Sequence, residues 1–276
     1  MPVHLQSERH KIIYPPDYHT HTRLCKHAEG MPLDYARAAL ENGLTEMACT
    51  DHLPAPDHYD PEHRMASRQF DEYRQAVREA QSLPGLTVLL GVEADFYEGC
   101  EEALKPWLLE HPFDIVLGSV HSGDFWDYEN EASRVKLTPD YVAEVWRKYF
   151  ALLQKLAATR MYDVLGHFDL PKRSGVRPND RTLRECVLPA LDAVAEAGMS
   201  VEINTSGLNH PMEEPYPSVQ ILGWARERDI SITFGSDAHQ PRRVGADFEF
   251  AMTMARDAGY THSARYRGRT KTLAAF

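Results

Sequence analysis

Short apolar runs alternate with longer amphipathic segments along almost the whole chain, and this alternation limits the folds that the sequence can adopt. The apolar runs are residues 12–18, 45–50, 87–94, 114–120, 162–166, 200–204 and 230–235. The amphipathic segments between them include residues 32–42, 67–82, 139–159, 179–196, 218–228 and 246–258. Strands that alternate with helices form a parallel sheet, because each helix carries the chain back to the same edge. Seven such strands predict an α/β fold with a closed or nearly closed barrel.

The length of the chain favours one domain over two. A chain of 276 residues with 43% hydrophobic content suits a single large α/β core, so we expect one domain over residues 1–276. Several predicted helices also have recognisable ends. Thr138 before Pro139 is typical of a helix start, and Gly43 and Gly198 are typical of helix ends. Longer segments at 53–66, 121–137 and 170–178 follow strand ends and are predicted to form loops around a site.

Metal-ligand residues lie at the end of nearly every predicted strand. They are Asp17, His19, His21, Asp51, His52, Glu93, His121, His167, Asp169, Asp237 and His239. Six of the fourteen histidines are among them, and His27 lies in the loop that follows the first strand. The carboxyl ends of parallel barrel strands converge on one face, so these residues are expected to meet there. The placement predicts a metal site and not a set of surface histidines.

The types of ligand narrow the choice of metal. His19 and His21 are two residues apart, so their side chains point to the same side of an extended backbone and can bind one ion. Glu93 has two oxygens and can bridge two cations. Imidazole nitrogens mixed with carboxylates favour Zn, Fe or Mn over Ca or Mg alone. The remaining histidines have no comparable placement and are interpreted as surface residues: His4, His10, His58, His63, His111 and His262.

The net charge and the placement of the cysteines indicate which partners and which cellular compartment the protein favours. A net charge of −11 disfavours a broad nucleic-acid surface, although bound metals would attract a small anion locally. The four cysteines are scattered and include no C-x-x-C pair, which favours free thiols in a reducing cytoplasm. The polar first ten residues contain no signal-peptide core, and no apolar stretch is long enough to span a membrane. We therefore expect a cytoplasmic protein with no membrane partner.

The motifs at the strand ends resemble those of the PHP (polymerase and histidinol phosphatase) family. They are Asp17-Tyr-His-Thr-His21, Thr50-Asp-His52, Gly91-Val-Glu93, Gly118-Ser-Val-His121, Gly166-His-Phe-Asp169 and Gly235-Ser-Asp-Ala-His239. Each motif alone is weak, but their combination and order are highly specific. Within the family, the chain is most similar to the monofunctional histidinol-phosphate phosphatases. The segments that carry this closer likeness are Thr50-Asp-His-Leu-Pro54, Asp169-Leu-Pro-Lys-Arg173, Glu202-Ile-Asn-Thr-Ser-Gly207 and Glu214-Pro-Tyr-Pro-Ser218.

This resemblance implies a distorted (β/α)7 TIM-like barrel and three divalent metal ions per chain. The implied ligands are His19, His21, Glu93 and Asp237 for one ion, Glu93, His121 and His167 for a second, and His27, His52 and His239 for a third. Among them, Glu93, Asp237 and His239 are the implied catalytic residues. Neighbouring metals can hold a hydroxide at neutral pH and stabilise the charge on a phosphate ester during in-line attack. All nine positions have competent ligands, which implies an active enzyme.

The substrate implied by the resemblance is L-histidinol phosphate, in histidine biosynthesis. Arg173 is the first candidate for binding phosphate because a guanidinium can contact two phosphate oxygens, and a surface salt bridge is its alternative role. Arg242, Arg243 and His210 are further candidates for substrate binding. Many related phosphatases have a basic residue after Thr-Ser-Gly-Leu, whereas Asn209 and His210 occupy that place here. The residues considered for the imidazole and amine are Asp95, Asp124, Phe125, Trp126 and Tyr216.

Other functions remain open at this point. A PHP phosphoesterase could act on nucleotides or on a nucleic-acid 3′ end, but the acidic balance counts against that. A binding module is disfavoured by the complete ligand set. A C–N hydrolase of the amidohydrolase kind also uses His-x-His on its first strand, yet the chain has no obvious position for a carbamylated lysine. Asp17 and Asp51 could orient imidazoles or cap strand ends, and the sequence leaves a homo-oligomer open.

Overall fold

The computed structural model describes residues 13–121 and 137–276. Its main sheet has six parallel strands, which pair in the order in which they occur along the chain. They are β1 (Glu46–Cys49), β2 (Thr87–Asp95), β3 (Ile115–Ser119), β4 (Val164–Leu165), β5 (Ser200–Asn204) and β6 (Ile232–Gly235). The α-helices of the described segments are α1 (Pro32–Glu41), α2 (Phe70–Gln81), α3 (Glu101–Glu110), α4 (Pro139–Thr159), α5 (Asp180–Ala197), α6 (Val219–Arg226) and α7 (Phe248–Asp257).

Residues 17–21 connect the first and last strands of the curled sheet. The amide of Ala48 donates to the carbonyl of Asp17 at 2.8 Å, and on the other side the amide of Tyr18 donates to the carbonyl of Phe234 at 3.0 Å. The segment forms two isolated bridges and not the continuous strand predicted at 12–18. It nevertheless takes the seventh place around the barrel, so the predicted α/β barrel is confirmed.

The two faces of the sheet are buried in different environments. Residues on one face pack inside the barrel, where Leu89, Ile115, Leu117 and Val164 form a compact apolar cluster. Residues on the other face pack against the surrounding helices in the main hydrophobic core. Side chains alternate along a strand, so residues at even spacing from Leu89 also point inward. Glu93 and Asp95 are therefore directed into the upper end of the barrel.

The C-terminal residues form an antiparallel hairpin that the sequence analysis did not predict. Its strands are β7 (His262–Arg267) and β8 (Thr270–Ala275). The buried Tyr266 donates to or accepts from the hydroxyl of Ser200, the first residue of β5, at 2.7 Å. The hairpin thus closes the end of the barrel where the strands begin. Its Arg269 pairs with Asp163 at 2.9 Å, so this basic segment is packed against the protein.

The helices confirm most of the predicted boundaries. α4 spans the predicted residues, and the Thr138 hydroxyl accepts from the amide of Tyr141 as an N-terminal cap. Gly198 ends α5 with φ of 71°, in the left-handed region that glycine favours. The first turn of the predicted helix at 67–82 is a 3-10 turn, and α2 begins at Phe70. Among the described residues, no helix is both long enough and apolar enough to cross a membrane.

Candidate metal centre

Glu93 lies at the centre of the cluster at the upper end of the barrel. Its side chain is 1% exposed and is surrounded by imidazoles from five other positions. The distances from its carboxylate oxygens are 3.0 Å to His52 Nδ1, 3.0 Å to His167 Nε2, 3.5 Å to His19 Nε2, 3.6 Å to His21 Nε2 and 3.7 Å to His121 Nε2. Burial raises the pKa of Glu93, but these imidazoles hold it well below its usual range. The residue is therefore a buried carboxylate.

Asp237 supplies a second carboxylate close to His19 and His21. Its Oδ1 lies 3.1 Å from His21 Nε2 and 3.7 Å from His19 Nε2. Its Oδ2 accepts from the Asn204 amide at 3.3 Å and from the Ser206 hydroxyl at 3.2 Å. Asp237 has φ of 53°, which is unfavourable for a residue other than glycine. The backbone thus adopts a costly conformation that directs this carboxylate at the two histidines.

Glu202 supports the cluster from below. One carboxylate oxygen lies 2.7 Å from His19 Nδ1, and the other accepts from the backbone amide of His167 at 2.9 Å. A hydrogen bond from Nδ1 leaves Nε2 of His19 with its lone pair facing Glu93 and Asp237. Gly235 is required here, because a Cβ at this position would come within 1.9 Å of the Glu202 carboxylate. Sequence analysis gave Glu202 no role, although an acidic residue inside an apolar strand was the available signal.

A second group of imidazoles lies beside the first. The ligand atoms of His21, His52 and His239 lie within 4.8 Å of one another. His27 is adjacent, with its ring centroid 4.9 Å from that of His239 and 5.3 Å from that of His52. Burial and the neighbouring His21 lower the pKa of His239 to about 4. His239 is consequently neutral near pH 7, which is the form that binds a metal.

The residues present fit divalent metal ions. His19 Nε2, His52 Nδ1 and Glu93 Oε2 are buried atoms that have no hydrogen-bond partner within residues 13–121 and 137–276. Such atoms are costly in a protein interior unless a ligand satisfies them. His52 Nδ1 and Glu93 Oε2 are 3.0 Å apart yet are not aligned for a hydrogen bond, so neither atom satisfies the other. The donor set of imidazoles and carboxylates is the one that transition metals and zinc prefer.

A cavity of about 840 Å³ opens above the cluster. Eight of the nine predicted metal ligands line it, and the ninth, His19, lies beneath them with 0% exposure. Of the predicted substrate contacts, Arg173, His210, Asp95 and Tyr216 line the cavity. Arg242 and Arg243 do not, and Arg243 pairs with Asp247 at 3.0 Å. A role of these two arginines in substrate binding stays a prediction, because neither residue lines the cavity.

Other candidates from the sequence have different positions. Asp17 accepts from the amides of Ser236 at 3.0 Å and Gly245 at 2.8 Å, so it caps backbone groups. Asp51 accepts from the amide of His52 at 2.9 Å and lies 3.7 Å from His21 Nδ1. Three residues considered for substrate binding lie outside the described segments: Asp124, Phe125 and Trp126. Tyr59 and Arg64 line the cavity and were not predicted.

Known proteins resemble this chain in sequence and in fold. The PHP domain matches residues 17–206 of the chain. A probable histidinol-phosphatase from Deinococcus radiodurans is 39% identical over 253 residues, which cover 88% of this chain and 93% of that protein. The histidinol-phosphatase of Lactococcus lactis is 26% identical over 261 residues, which cover 91% of this chain and 94% of that protein.

The fold is also that of a solved structure. The histidinol phosphate phosphatase of Lactococcus lactis, crystallised with Zn, L-histidinol and phosphate, superposes with a TM-score of 0.76 at 22% identity. The match covers 95% of this chain and all of that one. This likeness shows a shared fold. The family match over residues 17–206 and the identity to the Deinococcus protein lead to the same assignment, and this chain belongs to the PHP family.

Proposed function

We propose that the protein is a metal-dependent phosphomonoesterase that hydrolyses L-histidinol phosphate to L-histidinol and phosphate, in histidine biosynthesis. The observation that carries this proposal is the buried carboxylate and imidazole cluster at the floor of a cavity whose wall includes an arginine and a histidine. The names of the Deinococcus and Lactococcus proteins and the ligands of the Lactococcus structure support the choice of substrate. We place this activity in a single domain over residues 1–276, acting on a free small molecule in the cytoplasm.

Three divalent ions per chain, Zn, Fe or Mn, would occupy the cluster. His19, His21, Glu93 and Asp237 would bind one, Glu93, His121 and His167 a second, and His27, His52 and His239 a third. The ions supply an activated water nucleophile and neutralise charge on the phosphate oxygens. Glu93 is shared by two of these sets, and its central position with imidazoles on both oxygens supports that role. Glu93, Asp237 and His239 are the proposed catalytic residues.

Arg173 and His210 are the proposed phosphate contacts outside the cluster. Both line the cavity, and Arg173 belongs to the 3-10 turn at Leu170–Ser174 that follows β4. A guanidinium can donate two parallel hydrogen bonds to a phosphate, and its attraction to the phosphate strengthens as the equatorial oxygens gain negative charge. The cavity lining also includes the aromatic ring of Tyr59 and the carboxylate of Asp60. These groups suit the imidazole and the ammonium of histidinol.

Phosphate release separates this substrate from other phosphate esters. We expect the purified chain to release phosphate from L-histidinol phosphate with a kcat/KM well above that for nucleoside monophosphates assayed in parallel. Pretreatment with a chelator should abolish the activity, and added Zn, Fe or Mn should restore it. Preference for a nucleotide would assign the site to the alternative phosphoesterase function. Undiminished hydrolysis after complete metal removal would contradict the proposed chemistry.

Replacing Arg173 with alanine should lower kcat/KM for the phosphate ester about 100-fold, because one positioned donor to a developing charge is lost. Bound metal should be unchanged, since Arg173 is not a proposed metal ligand. The matched control is Arg177→Ala, which removes an exposed arginine four residues further along the same loop. Steady-state kinetics of both variants, with metal content measured on the same samples, decide the result. Equal kinetics for the two variants would remove Arg173 from the site.

A further inference from the structure

Asp95 lies between a proposed metal ligand and an arginine. It is the last residue of β2, and its side chain is 2% exposed. One oxygen lies 2.5 Å from Nδ1 of His121, and the other accepts from Nη2 of Arg64. The carboxylate has only acceptor atoms, so His121 donates from Nδ1. The lone pair of His121 Nε2 is therefore directed at the cluster, where Glu93 Oε1 is 3.7 Å away.

Arg64 is a buried residue, and each of its three guanidinium nitrogens donates a hydrogen bond. Its side chain is 3% exposed, although it belongs to a loop on the cavity wall. Nε donates to the carbonyl of Asp60 at 3.0 Å, Nη1 to the carbonyl of Leu53 at 3.2 Å, and Nη2 to the carboxylates of Asp95 and Asp60. Leu53 and Asp60 lie in the loop at 53–66. The guanidinium thus connects two positions within the loop and also connects the loop to the end of β2.

The loop that Arg64 fastens carries several residues of the cavity wall. Tyr59, Asp60 and His63 line the cavity, and the Arg64 guanidinium lies 5.1 Å from the centre of the Tyr59 ring. Tyr59 in turn stacks on Tyr97, with ring centroids 3.8 Å apart. The wall on this side and the orientation of His121 therefore depend on the same buried guanidinium.

We propose that Arg64 is a positioning residue, which acts through Asp95 to fix the orientation of His121 in the metal cluster and to hold the loop at 53–66 as a wall of the substrate cavity. This inference rests on the proposed function for its activity assay. An arginine that lines a phosphatase cavity would ordinarily be assigned to phosphate binding. Arg64 differs from Arg173 in that all three of its nitrogens already donate to protein oxygens. Its fixed, forked geometry is what lysine cannot reproduce.

The experiment compares Arg64→Ala, Arg64→Lys and Asp95→Asn in the full-length chain, with Arg68→Ala as a matched control on an exposed arginine four residues further on. Loss of a partner that orients a metal-binding histidine costs about 10- to 100-fold in metal affinity or activity. We expect kcat to fall by about that factor in the first three variants, with weakened metal binding and a smaller change in KM. The decrease in kcat should be similar for L-histidinol phosphate and for p-nitrophenyl phosphate, since both esters depend on the same metal cluster.

Two further measurements separate positioning from a purely structural role. Guanidinium ion at millimolar concentration should restore part of the activity of Arg64→Ala but not that of Asp95→Asn. The Arg64→Ala and Asp95→Asn double variant should lose little more than either single variant, because the two residues act as one unit. If Arg64→Ala does not fold, Arg64→Lys and Asp95→Asn carry the test, with folding checked by circular dichroism.

The outcomes that overturn the inference are distinct from those that overturn the proposed function. A raised KM with unchanged kcat and metal binding in Arg64→Lys would make Arg64 a direct substrate contact. Kinetics equal to those of Arg68→Ala would show that neither role holds. Both results require an active wild-type enzyme. A wild-type protein that hydrolyses no phosphate ester would instead contradict the proposed function and leave the metal-binding measurements on the variants to decide whether Arg64 positions His121.

Discussion

Glu93→Ala should lower phosphatase activity by about 1,000-fold or more, because metal ions contribute several kcal/mol to stabilising such a transition state. The carboxylate lies among five imidazoles and is shared by two of the proposed ion sites. Its removal leaves both sites with fewer ligands and takes a negative charge from a buried cluster. Bound metal should fall with activity. Steady-state assays and elemental analysis on the same preparation measure the two effects together.

The control for this variant is Glu98→Ala, which removes an exposed glutamate five residues away that pairs with the surface residue Lys155. Its activity and metal content should equal those of the wild type. A Glu93→Ala protein that keeps its full metal content would contradict the proposed ligand sets. A protein that loses metal but keeps activity would instead contradict the role of the metals in hydrolysis.

Lys172→Met should destabilise the fold by about 3–5 kcal/mol, the usual cost of removing one partner from a buried ion pair. Lys172 is 1% exposed, and its ammonium lies 3.0 Å from Asp169 and donates to the carbonyl of Pro215 at 2.6 Å. Without it, the buried Asp169 carboxylate has lost its nearest positive charge. Lys172 also joins the turn that carries Arg173 to the segment that carries Tyr216. Denaturant unfolding monitored by circular dichroism gives the free energy directly.

Lys155→Met is the matched control for this prediction, since Lys155 is an exposed lysine and solvent screens its pair with Glu98. Introducing Asp169→Asn alongside Lys172→Met should recover part of the lost stability, because the uncompensated charge is removed. Equal destabilisation by the two lysine variants would mean that burial of Lys172 does not matter energetically. No recovery in the double variant would mean that lost packing, and not charge, is responsible.

The metal cluster could be predicted from the sequence because its signal is local. A histidine or carboxylate directly after an apolar run is visible without a structure, and parallel strands bring such positions to one end of a barrel. Glu93 and Asp237 were found in this way, and the structure brings them to the same histidines. Glu202 was not found, since it lies in the middle of β5 and its partners His19 and His167 are distant in sequence.

Residues whose roles depend on tertiary contacts also could not be predicted from the sequence. Arg64 lies in a loop whose charged residues look solvent-exposed, and only folding shows that its guanidinium is buried against Asp95. The sequence of 263–276 was compatible with either a solvated or a packed C-terminus, and its many Arg and Lys residues obscure the pattern of the β7 and β8 hairpin. Its inward residues Ala264 and Tyr266 alternate with those charges, and the barrel interior buries them. α3 was missed because Pro106 interrupts its helical pattern.

The number of metal ions bound per chain is the decisive measurement for the proposed three-ion site. Elemental analysis of protein purified gently and without chelators should give a ratio near three, the value that the ligand sets around Glu93 and His239 require. The same sample should lose its phosphatase activity in step with its metal. A fully active preparation that contains one ion per chain or fewer would contradict the proposed three-ion site.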